Sequence, residues 1–213
     1  MGLVDWVLGI PAHFGRAPVV DTRDKLIEFL DTRSAFLIQK NIFDYARARA
    51  GPYFSSMINE DAFRHAVEVS RWTSYPVGLA ALAEIVRGVL FEAADRKALN
   101  DAVSSATIAA FDKYPAPEVI GQEKWKQARE TLLLRLQQID MHAPKFAKDV
   151  ILPYAKEIYD VQPIHEELRK RDFEMIQAQL RINLVNMHIE FEKRADQPRL
   201  LADLGVPLQA GRA

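Results

Sequence analysis

The segment FEMIQAQLRINLVNMHIEFEKR, residues 173–194, has the spacing of one long helix with apolar residues on two opposed faces. Each residue turns an α-helix by about 100°. Phe173, Ile176, Leu180, Leu184, Met187 and Phe191 therefore share one stripe. Met175, Ala178, Ile182, Val185 and Ile189 share another on nearly the opposite side. Glu174, Gln177, Arg181, His188 and Glu192 fill one polar strip between them, and Asp172, Gln179, Asn183, Asn186 and Glu190 fill the other. An ordinary surface helix has a single apolar stripe. Two stripes predict a helix covered on both sides. Either its own chain supplies both layers, or its core covers one side and another molecule the other. Burying one large apolar side chain is worth about 1.5–3 kcal/mol, so an uncovered second row is costly.

Helical spacing recurs along the rest of the chain, and no stretch alternates with a period of two. Asp21 and Thr22 are positioned to cap a helix running to about Ala50, where Gly51-Pro52 stops it. This helix is apolar nearly all round: Leu26, Leu30 and Leu37 on one line, Phe29, Phe36 and Phe43 on a second, and Ile38, Ile42 and Tyr45 on a third. It is expected to be central, paired with the 173–194 helix. Asn59 is a candidate cap for a helix through Phe63, Val67 and Trp72, with Pro76 kinking it or starting a new one to about Ala93. Further helices are expected over roughly 95–114 and 122–140. The second carries Trp125, Ala128, Leu132, Leu136 and Ile139 at three- and four-residue steps. Between them YPAPEVIG reads as a connector. Pro144 is expected to open a helix to about Asp160 with Pro153 inside it, and Pro163 to open the last long helix. The fold class is thus all-α: one domain of about seven or eight helices, irregular or orthogonal, around two long central helices. Residues 1–20 form an N-terminal arm, 21–195 the helical domain, and 196–213 a frayed tail.

Motifs with a mechanism are missing. There is no phosphate-binding or dinucleotide-binding glycine loop, no G-x-S-x-G elbow and no H-E-x-x-H. The Glu-x-x-His pair of di-metal helical bundles accompanies none of the five histidines. The absence of cysteine excludes disulfides, thiolate metal sites and a cysteine nucleophile. No cofactor, metal or catalytic residue is therefore assigned. A net charge of −1 leaves no basic footprint for nucleic acid. The most apolar run, residues 76–94, is interrupted by Glu84 and Arg87, which argues against a bilayer span. The N-terminus lacks a basic signal region, so a soluble, cytoplasmic protein is expected.

Two constellations remain. Asn41 and Asp44 interrupt the apolar surface of the first long helix, and Asn183 and Asn186 that of the last, with His188 beside them. If these helices face each other, the five residues line a polar, ligand-binding pocket. The rival reading places them on an outer flank. Trp72 and Tyr75 in SRWTSYP are either partner contacts or core plugs at a helix break. Trp6 in LVDWVLGI belongs to a short amphipathic piece suited to a groove in this protein or a partner. The piece lacks the basic face of a membrane-surface helix, which disfavours membrane contact through this arm. The function expected first is a non-catalytic interaction protein, a homodimer or an accessory subunit of a larger assembly. Its contacts are Trp6, Trp72, Tyr75, Ile182, Val185 and Ile189. The alternative is a small-molecule-binding protein or enzyme with its pocket between the long helices.

Overall fold

A computed structural model of the chain describes residues 18–209. The first helix, α1 (Arg23–Ala50), starts where the Thr22 hydroxyl accepts from the Lys25 amide at 3.4 Å, and stops at Gly51, whose φ of 53° suits a residue without a Cβ. A short 3₁₀ turn leads to α2 (Phe54–Met57) and then α3 (Asp61–Leu90). Glu60, not Asn59, holds the N-cap position of α3; the Asn59 amide is occupied in donating to the Ser55 carbonyl at 2.9 Å. Pro76 lies inside α3, which runs on past it. Asp95 caps α4 (Arg96–Phe111) by accepting from the Ala98 amide, and α5 (Gln122–Asp140) follows the connector.

Two expectations fail in the next stretch. No helix opens at Pro144. Residues 141–154 cross the surface in turns that bury Val150, Ile151 and Tyr154, and only α6 (Ala155–Asp160) is helical. Pro153 lacks the N–H a helix would use and restricts the residue before it, so the turns end rather than bend there. Nor does one helix run from Pro163 to Arg194. A single turn, α7 (Glu166–Arg169), precedes α8 (Phe173–Arg194). The break is held by side chains. Arg169 turns back to donate to the carbonyls of Asp160 and Gln162 at 2.7 and 2.9 Å. The Asp172 carboxylate accepts from the Tyr45 hydroxyl at 2.8 Å and pairs with Arg49 at 2.9 Å.

The architecture is all-α, in an irregular bundle. Helix α1 lies against α3, α4 and α8, while α3 also packs on α5, α6 and α8. Every residue of α3 from Ser74 to Arg87 is buried, so a third long helix joins the two singled out by the sequence. The closest approach is at Gly78: an added Cβ would meet Ile38 Cγ1 at 3.2 Å and the Ser34 carbonyl at 3.3 Å. The inner row of α8 (Ile176, Leu180, Leu184, Met187, Phe191) is buried, with the Phe191 ring 5.0 Å from that of Phe29.

The C-terminal segment is packed rather than frayed over its described length. Helix α9 (Gln197–Asp203) buries Leu200 and Leu201, and Val206 is buried just beyond it. Backbone bridges tie Ala94 to Leu208 and Val20 to Ala195. The Asp203 carboxylate accepts from the Arg23 amide at 2.7 Å. Among the described residues no helix is long and apolar enough to cross a membrane.

Candidate interaction site

The outer row of α8 is where sequence and structure meet most directly. Met175, Ile182 and Ile189 are 44%, 63% and 39% exposed, Ala178 is exposed and Val185 half-buried. The described part of the chain therefore supplies one layer over α8, not two. A helix anchored by five buried residues on one face holds these aliphatic side chains rigidly in solvent. Between them lies a groove of about 330 Å³, lined by Lys148, Ala178, Arg181, Ile182, Val185 and Asn186. Arg181 fixes one wall: its Nε donates to the Lys148 carbonyl at 3.0 Å and its guanidinium pairs with Asp149 at 3.4 Å. The turn segment 146–149 is thereby pinned beside α8, and the exposed Phe146 ring carries the Lys148 ammonium 5.9 Å from its centroid.

The inner polar strip of α8 does meet α1, but its members bond chiefly to each other. Asn41, fully buried, accepts from the Gln162 amide at 2.8 Å and donates to Gln179 at 3.3 Å. Gln179 donates to Asp44 at 2.9 Å, and Asp44 pairs with Lys40 at 2.6 Å. Sequence reasoning missed Gln162 and Gln179 as members of this seam. Gln179 shares the strip with Asn183 and Asn186, so its direction was readable; Gln162 comes from the end of α6 and was not. Asn183 is buried with its Nδ2 unpaired among the described residues. Asn186 lies on the outer groove and His188 is half-buried, so neither joins Asn41 and Asp44.

Trp72 and Tyr75 sit in an aromatic cluster. Trp72 packs edge-on against Tyr75, Tyr114 and Trp125 at centroid distances of 6.0, 5.2 and 5.8 Å, and Trp125 stacks on Phe111 at 4.3 Å. Tyr75 is buried and Trp72 half-buried, which removes Tyr75 from any contact surface and leaves the core-plug reading. At the base of the cluster is buried Asp31. It accepts from the Tyr75 hydroxyl at 2.8 Å and the Tyr114 hydroxyl at 3.1 Å, and pairs with Lys113. Burial, with the Asp31 charge beside it, pushes the Tyr114 phenol up to about 12, and the same causes push Tyr75 higher. Arg71 covers the outer face of Trp72, its guanidinium carbon 4.6 Å from the ring centre.

A second buried ion group tethers the turns to α3. Glu84, with no exposed side-chain surface, pairs with Lys145 at 3.1 Å and lies 3.8 Å from the His142 imidazole. Arg87 donates to Asn100 at 2.8 Å and to the His142 carbonyl at 2.9 Å. The two charges that broke the most apolar run in the sequence thus hold segment 142–145 in place. Among the described residues no three His, Asp or Glu side chains are grouped to hold a metal. Trp6 lies outside the described residues. Comparison of the chain with protein-family models, curated proteins and solved structures finds no match.

Proposed function

We propose that this chain is a non-catalytic interaction protein whose docking surface is the outer face of α8. The single observation that carries this is Ile182, 63% exposed on a helix whose opposite side is fully buried. It is flanked along the same stripe by Met175, Val185 and Ile189 and by the groove between Arg181 and Lys148. Partner surfaces are built this way, with a central apolar strip and a charged rim. The first partner to test is a second copy of the chain; an accessory role in a larger assembly uses the same face. The polar seam between α1 and α8 supports the alternative ligand-binding reading less well, because the Asn41, Gln162, Gln179 and Asp44 groups already bond to each other.

Sedimentation velocity from sub-micromolar to high-micromolar concentration tests this. The expected result is concentration-dependent association that Ile182→Asp abolishes while leaving the far-ultraviolet circular dichroism and melting temperature unchanged. Ile182→Asp that still associates moves the interface elsewhere. A parent chain that stays monomeric and copurifies with no stoichiometric partner from its native host counts against the whole reading.

A further inference from the structure

We propose that in the free chain the outer face of α8 is occupied by the chain's own N-terminal segment, Leu3–Ile10, with Trp6 against Ile182. This rests on the reading above and gives that docking surface its regulation: a partner must displace the segment. Three observations lead to it.

The first is where the described chain begins. Pro18 lies at the C-terminal end of α8 itself, its carbonyl accepting from Arg194 Nε at 2.9 Å, and the Val20 amide donates to the Arg194 carbonyl at 2.8 Å. The segment thus enters the fold on the helix that carries the uncovered row.

The second is reach. From Ile182 to Arg194 the helix rises about 18 Å at ~1.5 Å per residue. The chain from Trp6 to Pro18 spans the same ~18 Å if wholly helical and about 40 Å if extended. Trp6 can therefore lie over Ile182 in any conformation between those limits, running antiparallel to α8.

The third is pattern. Leu3, Trp6, Val7 and Ile10 follow three- and four-residue steps and put one apolar face on the segment, with Asp5 on the other side. That face has no apolar partner within its own few residues. The α8 row of Ala178, Ile182 and Val185 is aliphatic, rigid and as short as the segment. An indole there buries roughly 150–250 Å².

The absence of cysteine makes the test direct. Glu174, exposed on α8 one turn before Ala178, is changed to cysteine in the full chain and given a nitroxide. The Trp6 indole proton, assigned by its disappearance in Trp6→Phe, is then followed by NMR at concentrations where the chain is monomeric. The expected result is loss of most of the Trp6 signal, restored when the nitroxide is reduced and restored equally by Ile182→Asp. A Trp6 signal at full strength beside the active nitroxide overturns the proposal. So does a loss seen when the labelled and observed chains are separate molecules, because the segment then crosses between copies. The two readings fail separately. Association without Trp6 broadening removes only the self-docking, and Trp6 broadening in a chain that never associates removes only the partner surface.

Discussion

Asp31 has almost no exposed side-chain surface, yet three donors converge on it: the hydroxyls of Tyr75 and Tyr114 and the Lys113 ammonium. Such a carboxylate is stable only while its donors stay in place. Asp31→Ala leaves the buried Tyr75 hydroxyl with only the Ala110 carbonyl at 3.3 Å, and leaves Lys113 unpaired. The expected loss is about 3 kcal/mol in urea unfolding, within the range for breaking a buried ion pair. A loss within ~0.5 kcal/mol, as at ordinary surface sites, would show that the cluster does not need its carboxylate. The same group sets the alkaline limit. Tyr114 ionises near 12 in the fold and Tyr75 higher, against ~10 in an unfolded chain. The unfolded chain loses these protons first as pH rises. The stability they contribute is therefore complete below about 10 and falls between about 10 and 12. In an ultraviolet titration the exposed Tyr53 ionises normally, while Tyr75 and Tyr114 ionise only as the protein unfolds. None of this centre was legible in one dimension. The sequence marked Trp72 and Tyr75 as aromatics at a helix break, but Asp31 comes from the middle of α1 and Lys113 and Tyr114 from the end of α4, brought together only by packing.

Elements were more legible than their contacts. Periodicity alone gave α5 its bounds, because its Leu132–Leu136–Ile139 stripe is buried and the rest of its surface is largely wet. It gave α1 its cap and stop for the same local reasons. It failed over 144–172, where two prolines and the side-chain bonds of Arg169 and Asp172 decide where helix begins. For α8 the two stripes were real, but spacing does not say which is covered. Substitution separates them: Leu180→Ala is expected to cost about 2–5 kcal/mol and Ile182→Ala under ~1 kcal/mol by thermal unfolding of the monomer. Two glycines of α3 make a similar contrast. At Gly88 a Cβ finds only Pro144 Cβ at 3.7 Å, ordinary contact, so Gly88→Ala is expected to raise stability by about 0.5–1 kcal/mol through helix propensity. At Gly78 the backbone carbonyl of Ser34 stands 3.3 Å away and Ile38 closer still, so Gly78→Leu forces α1 and α3 apart at a cost of about 1–3 kcal/mol. If Gly78→Leu melts with the parent, the α1–α3 crossing is looser than described.

At the scale of the whole molecule, the chain closes on itself near its ends. Val20 bridges to Ala195 and donates to Arg194, whose guanidinium reaches the Pro18 carbonyl and lies 5.4 Å from the centre of the Phe29 ring. Further on, Asp203 accepts from the Arg23 amide, the Asp95 amide donates to Pro207, and the Gln209 amide donates to Ala93. Residues 196–209 thus join the start of α1 to the corner between α3 and α4, elements distant in sequence that otherwise touch only through side chains. Each of Leu200, Leu201 and Val206 withdraws about 1.5–3 kcal/mol of apolar surface from water. A domain's total stability is typically about 5–15 kcal/mol, so together they represent a large share of it. A chain ending at Asp196 is therefore expected to lose its cooperative urea transition, giving a broad, shallow unfolding curve and binding a hydrophobic dye. Leu201→Ala in the full chain separates docking from mere length: it is expected to keep a single sharp transition shifted by about 2–5 kcal/mol. A truncated chain that unfolds as sharply and at the same midpoint as the parent would mean that α1 to α8 stand without the C-terminal clasp.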